Sequence, residues 1–312
     1  MTELMIEADR LTRVFGDVTA LDTVTLTAPR GAVLGLLGHN GAGKTTLVNV
    51  LTTQVPPSSG TARVAGLDVR QGDQIRALIG LAGQFAAVDG QLSGLDNLIT
   101  VARLLGAGRR AAYARAAELL DLFGLAGAAR RPARTYSGGM RRRLDLAMSL
   151  VGHPEVIFLD EPTAGLDPES RLVLWRIVGR LARDGITVLL TTQYIEEADR
   201  LADAIVVLSG GRVVASGTPA ELKAQVGTSS VRVTPVWPHG PARVLDCLSE
   251  AGFRAFAGPG ARSVSTPVAE PGLVASVVRA LDAAGIGVSE LNVTEPTLND
   301  VYLNLIKPEP VR

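Results

Sequence analysis

The nine residues Gly38 to Thr46 read "GHNGAGKTT". They fit the pattern G-x-x-x-x-G-K-[ST], and their flanks give the pattern its meaning. Before them lies "AVLGLLG", a nearly continuous apolar run of the kind expected for a strand buried on both faces. After them a helical stretch is expected from Lys44 to about Thr53, ended by "VPPSSG". A strand, a glycine-rich turn and a helix in that order make a phosphate cradle. Gly38, Gly41 and Gly43 let the backbone N–H groups of the loop, which also contains His39, Asn40, Ala42 and Thr46, wrap a triphosphate. The helix N-terminus adds its dipole. Lys44 brings a cation to the β- and γ-phosphates, and Thr45 offers a hydroxyl to Mg²⁺.

Working outward, short β-type runs ("LMIEAD", "VTLTA") precede the loop, and a polar-alternating strand and "LIGLAG" follow it. From about residue 90 to 152 the apolar spacing becomes helical, with "AAYARAAELLDLFGL" and the set Met140, Leu144, Ala147, Met148 and Val151 as its clearest stretches. Strands return in "VIFLD", "TVLLTT" and "AIVVLS", with helices between them. Alternation of strand and helix implies an α/β core with a mostly parallel sheet, into which the helical subdomain is inserted. After about residue 225 the pattern restarts. The order β-α-β-β-α-β is expected, a small α+β module of ferredoxin-like type, with a last helix in "EPTLNDVYLNLI". The expected domains are therefore 1–225 and 226–312.

Two further stretches carry chemistry. "VIFLDEP" ends a buried strand in two acids. Asp160 stands where it can hold Mg²⁺ through water, and Glu161 where it can orient or deprotonate an attacking water. Alone, such acids often only cap the next helix; beside a phosphate loop they gain a role. "YSGGMRRRL", Tyr136 to Leu144, sets Ser137, Gly138, Gly139 and Met140 at the start of an amphipathic helix with no strand before it. This is a second anion site. A serine-capped helix start would account for the tripeptide by itself. Two chains packed head to tail can bring the two anion sites onto one nucleotide, which one chain cannot easily do.

Composition narrows the function classes. The chain has 312 residues, 46% hydrophobic, 20% charged and 4% aromatic, with Lys+Arg and Asp+Glu equal at 31 each. That balance leaves no global basic field for nucleic acid. Locally, ten arginines lie between Val101 and Asp145 against Glu118, Asp121 and Asp145. They read either as a solvated helical face or as a surface beside anionic lipid or phosphate. The single cysteine, Cys247, excludes an internal disulfide and fits a reducing compartment. No apolar run approaches the roughly 18 residues a membrane-spanning helix needs, so a membrane process would require another chain to form the pore.

With these stretches in hand the chain resembles the ATP-binding subunit of ABC transporters, over about Leu4 to Leu222. "GHNGAGKTT" matches the Walker A motif, "YSGGM" the signature motif and "VIFLDEP" Walker B. "TYSGGMRRRLDLA", "TTQY" and the ending "LNDVYLNL" are similar to the daunorubicin/doxorubicin-resistance type of these subunits. The resemblance implies an ATP-hydrolysing P-loop fold binding ATP and Mg²⁺. It places Phe15 of "TRVFGD" against adenine, Gln84 of "LAGQFA" at Mg²⁺ and at the link to the membrane subunit, and Asp167 of "AGLD" at a dimer interface. It further implies a homodimer formed on ATP binding, a separate transmembrane permease subunit docked near Phe85 to Asn97, and a cytoplasmic position on the inner face of the membrane. The alternatives are a non-transport ABC ATPase, whose double cassette or long coiled-coil insertion does not appear in this sequence, and a non-hydrolysing module that senses ATP without turnover, which an ATPase assay separates from the other two.

Gln193 falls where the family commonly has a histidine that donates to the γ-phosphate. A glutamine amide puts an NH₂ donor at similar reach. What it lacks is charge: a charge-assisted bond is worth roughly 1.5–3 kcal/mol and a neutral one about 1, so the deficit is about tenfold in rate. With Lys44, Asp160 and Glu161 intact, an active ATPase is expected.

Overall fold

The computed structural model describes residues 3–83, 87–226, 229–236, 240–257, 262–268, 272–294, 297–298 and 301–302. The chain divides into two compact units, Met1–Pro219 and Ala220–Arg312.

The first unit begins with strands β1 (Leu4–Phe15), β2 (Val18–Pro29) and β3 (Val33–Leu37), then helix α1 (Lys44–Leu51). Next come β4 (Ser59–Val64), β5 (Leu67–Asp68), α2 (Gly72–Arg76) and β6 (Ile79–Ala82). The inserted helices are α3 (Gly94–Leu104), α4 (Arg109–Leu122) and α5 (Gly138–Ser149). The alternating pattern resumes with β7 (Val156–Asp160), α6 (Pro168–Arg183), β8 (Thr187–Thr192), α7 (Ile195–Leu201), β9 (Ala204–Ser209) and β10 (Arg212–Gly217).

These strands form two sheets where the sequence suggested one. The larger has the order β10-β9-β3-β8-β7-β6 and is parallel except for the edge hairpin β9–β10. The smaller is antiparallel, in the order β2-β1-β4-β5. Every residue of β3, β7 and β8 is buried, as expected of strands in the middle of a sheet covered on both faces. The period of two sorts each strand between the two cores. In β7, Ile157 and Leu159 point to a core shared with Leu98, Leu119 and Leu144 of the inserted helices. Val156 and Phe158 point to the core containing Leu47 of α1 and Leu11 of β1.

The inserted helices are tied down locally. Ser93 caps α3 by accepting from the Asp96 amide at 3.1 Å, a contact worth about 1 kcal/mol. Tyr136, buried ahead of α5, donates its hydroxyl to the Ala128 carbonyl at 2.8 Å. The same hydroxyl oxygen fills the space beside Gly94: a Cβ there would come within 2.3 Å of it. The arginines of this region are not all on a solvated face. Arg115 reaches the Leu150 carbonyl at 2.6 Å and Arg143 the Phe123 carbonyl at 2.9 Å, so a helix-spaced run that looks like surface partly turns inward to satisfy the C-terminal ends of α5 and α4.

Helix α8 (Pro219–Val226) spans the division between the units, which falls at its start rather than after residue 225. The second unit then runs β11 (Ser230–Pro235), α9 (Pro241–Glu250), β12 (Phe256–Ala257), β13 (Val264–Pro267), α10 (Gly272–Ala283) and β14 (Val288–Thr294). The sheet order is β12-β13-β11-β14 with all neighbours antiparallel. This is the split β-α-β arrangement of a ferredoxin-like module. Val231, Val233 and Val264 on the sheet pack with Val244 and Leu248 of α9 and Val277 and Leu281 of α10. The expected last helix lies largely outside the described residues.

Candidate active site

Strand register gathers the catalytic candidates. Leu37 pairs with Thr192, and Asp160 with Thr191, across three adjacent parallel strands. The carboxyl ends of β3, β7 and β8 therefore lie side by side, and the residues that follow them are Gly38, Glu161 and Gln193. Crevices outside the carboxyl ends of parallel strands are where open α/β sheets bind ligands.

The phosphate loop runs straight from β3 into α1. Gly43 precedes the helix at φ 106°, and a Cβ on it would meet the Ala20 carbonyl at 2.8 Å, so only glycine fits. Lys44 is 5% exposed. Its ammonium donates to the carbonyls of Gly38 at 2.7 Å and His39 at 3.2 Å, and lies 3.7 Å from Glu161 Oε1. Burial pushes the Lys44 pKa below its ordinary value, against the pull of Glu161 and Asp160.

Asp160 and Thr45 are neighbours: the threonine hydroxyl donates to Asp160 Oδ2 at 3.2 Å. Thr191 on β8 donates to the other carboxylate oxygen. Thr191 also receives the Glu161 amide, at 3.0 Å on its hydroxyl and 3.1 Å on its carbonyl. Those bonds hold Glu161 in a left-handed conformation, φ 47°, which is uncommon for a side chain of this kind. The strand end is thus turned sharply so that the carboxylate faces Lys44. Thr191 was not singled out from sequence; as the penultimate residue of an all-buried strand it reads there as packing.

A cavity of about 410 Å³ opens over this floor. Asn40, Gly41, Gly43, Lys44, Thr45 and Glu161 are among its lining, which continues through Thr46 and Val18. Phe15 does not line it, but its strand partner Val18 does. The Phe15 ring is 44% exposed, and the Arg13 guanidinium stacks over it at 4.3 Å from the centroid. His39 is exposed, its Nδ1 2.7 Å from the Asn40 carbonyl. Gln193 is exposed at the end of β8. Gln84 lies outside the described residues.

Ser137, Gly138, Gly139 and Met140 are not part of this cavity's lining. Ser137 caps α5, accepting from the Met140 amide at 3.2 Å, so the plain structural reading of that serine holds in the chain itself. Ser137 and Gly138 are exposed, whereas Gly139 is buried: a Cβ on it would meet Ser170 Oγ at 2.3 Å. Ser170 in turn donates to Asp167, the N-cap of α6, at 2.6 Å. The Ser137 helix start and Asp167 are thus packed together through Gly139.

An oxygen-only donor pair, Thr45 and Asp160, beside a lysine suits Mg²⁺, which takes one or two protein oxygens and leaves the rest to phosphate and water. No cluster of three or more His, Cys, Asp or Glu with metal-holding geometry occurs among the described residues.

Comparison with known proteins gives a consistent picture. Residues 21–164 match the family model described as ABC transporter. A daunorubicin resistance ATP-binding protein of Streptomyces coeruleorubidus is 47% identical, over 98% of this chain and 96% of the relative. A doxorubicin resistance ATP-binding protein of Mycobacterium tuberculosis is 41% identical, over 96% of this chain and 92% of the relative. Among solved structures, cbiO1 from Clostridium perfringens, part of the ABC transporter complex cbiONQ, superposes with a TM-score of 0.66. It is 28% identical, and the match covers 72% of this chain and 92% of that one.

Proposed function

Because the chain belongs to the ATP-binding subunits of the ABC transporter family, and is an ATPase of the exporter type, we propose that it drives outward transport of a hydrophobic drug through a separate membrane-spanning permease. The observation that carries this reading is the joined floor of Lys44, Thr45, Asp160 and Glu161 beneath the cavity, in a chain this similar to drug-resistance subunits. No helix among the described residues is long and apolar enough to cross a membrane, which supports assigning the path for cargo to another chain. The chain then sits on the inner face of the membrane, held there by the permease.

In this reading Lys44 and the loop amides hold the phosphates of ATP. Thr45, Asp160 and Gln84 hold Mg²⁺, whose charge offsets that of the phosphates. Phe15, backed by Arg13, offers a flat face to adenine. Glu161 takes the proton of the attacking water, and Gln193 donates to the γ-phosphate. Two chains close head to tail on ATP, so that Ser137 and Gly139 of one meet the nucleotide of the other, with Asp167 at the seam. Exposure of Ser137 and Gly138 on the first unit supports that role. The second unit serves assembly or regulation; its described residues carry a hydrophobic core and no group of three or more His, Cys, Asp or Glu placed to hold a metal.

Transport is tested by doxorubicin accumulation in cells expressing the chain with the membrane protein that co-purifies with it. Accumulation should fall with the native chain and return to the control level with Lys44→Ala. Equal accumulation with and without the native pair removes the drug-export reading and leaves the ATPase.

Gln193 has its own test. Gln193→Ala should cost roughly 1–3 kcal/mol of transition-state stabilisation, about tenfold to a hundredfold in turnover. Gln193→His should keep activity and gain a pH dependence near neutrality, where imidazole titrates and an amide does not. Steady-state ATPase rates of the three forms against pH decide it: an alanine form matching glutamine throughout assigns the residue to packing.

A further inference from the structure

Arg142 and Asp145 sit one turn apart on α5, the helix that starts at Ser137, and both are withdrawn from water, with side chains 12% and 4% exposed. Neither fits a surface role. Arg142 Nε donates to the Pro162 carbonyl at 2.9 Å, and its Nη2 to the Asp160 carbonyl at 3.0 Å. These two carbonyls flank Glu161. Its Nη1 donates to the Gly83 carbonyl at 2.6 Å and to Asp145 Oδ2 at 3.0 Å. Asp145 Oδ1 accepts from the Ala87 amide at 2.9 Å. Gly83 and Ala87 are the residues on either side of the stretch 84–86, which contains Gln84.

We propose that Arg142 and Asp145 are positioning residues for ATP hydrolysis, locking both ends of the Gln84 segment to the backbone around Glu161. The inference rests on the proposed roles of Gln84 and Glu161. Its force lies in the targets. A guanidinium buried only for stability would be compensated by any three carbonyls. Here the three come from the two segments assigned to the metal and the attacking water, and they converge on one planar fork. Both side chains are withdrawn from water, so parting the pair would leave an uncompensated charge in a site of low exposure. The pair must therefore keep its geometry, and misplacement of reacting groups by about 1 Å can cost on the order of a hundredfold in rate. Because α5 starts at Ser137, the same two residues link the element offered to the partner's nucleotide with the metal and water positions of the chain's own site.

The test compares Arg142→Met, Arg142→Lys and Asp145→Asn with the native chain and with Glu161→Gln. Four quantities are read: kcat, affinity for a fluorescent ATP analogue, the Mg²⁺ concentration giving half-maximal rate, and thermal melting. Arg142→Met should lower kcat about tenfold to a hundredfold, raise the half-maximal Mg²⁺ concentration and leave nucleotide affinity within about threefold. Arg142→Lys should recover only part of the rate, since one ammonium cannot reach four acceptors. Asp145→Asn, which keeps an oxygen for the Ala87 amide but loses the charge, should fall between. If Arg142→Met does not fold, the lysine and asparagine forms decide. Native kcat and Mg²⁺ dependence in folded Arg142→Lys and Asp145→Asn overturn the proposal, as does a rate loss matched by the loss of folded protein. Activity retained in Glu161→Gln instead removes the roles assigned to the site itself.

Discussion

Glu161→Gln is expected to lower ATP turnover by about 10²–10⁴-fold, the range that a positioned general base contributes, while leaving nucleotide binding intact. The substitution keeps size and removes the proton acceptor. It does not disturb the backbone, because the left-handed turn at φ 47° is held by the Thr191 carbonyl and hydroxyl and not by the side chain. Binding without turnover should then trap two chains on ATP·Mg²⁺, visible as a two-chain species in sedimentation velocity. A strictly single-chain species at saturating ATP and high protein concentration overturns the head-to-tail site. The pH of the experiment matters. Burial already lowers the Lys44 pKa, and the Glu161 carboxylate opposes that lowering. Taking that charge away moves the Lys44 pKa further down, so its ammonium is lost at a lower pH than in the native chain. The trap therefore weakens, as pH rises, at a lower pH than nucleotide binding by the native chain does.

Lys44→Ala is expected to reduce turnover by about 10²–10³-fold or more, some 3–4 kcal/mol, by removing the cation from the transferring phosphoryl group. Unlike Glu161→Gln it should also weaken nucleotide binding, since the ammonium faces the loop carbonyls of Gly38 and His39 on the cavity floor. The variant leaves Glu161 without its 3.7 Å neighbour. Removing one partner of a buried pair destabilises, so melting must be measured alongside rate to separate lost chemistry from lost fold. Native turnover in a folded Lys44→Ala chain overturns the assignment of the loop.

The parts of the fold that could be read from sequence were those whose environment is uniform along the element. In "VIFLD" every residue is buried, so an unbroken apolar run marks the strand and its length. The second unit was readable because its helices α9 and α10 each turn one apolar face to Val231 and Val233 of the sheet. The antiparallel sheet of the first unit was not. Strand β1 slips register between Ala8 and Leu11 and again near Arg13, and Arg10 takes a positive φ, so its alternation of inside and outside is broken several times. For the site, contiguous stretches named the phosphate loop and the two acids. The clamp made by Arg142 was hidden for a physical reason: in the run "MRRRLD" three arginines look alike, and only the packed helix shows that Arg141 is exposed while the side chain of its neighbour Arg142 is drawn inward. Thr191 was hidden likewise, because a hydroxyl on a buried strand gives no sign of what it accepts or donates until the next strand is in register.

The close approach of Tyr136 and Gly94 has a consequence for how such chains can diverge. The phenol oxygen stands where a Cβ on Gly94 would be, and it is anchored by the Ala128 carbonyl. A lineage that keeps the tyrosine must keep glycine at the start of α3, and a lineage that loses the ring gains room there for a side chain, at the cost of leaving that carbonyl without its donor. The dependence runs one way: across related chains a side chain in place of Gly94 should occur only where the Tyr136 ring is gone.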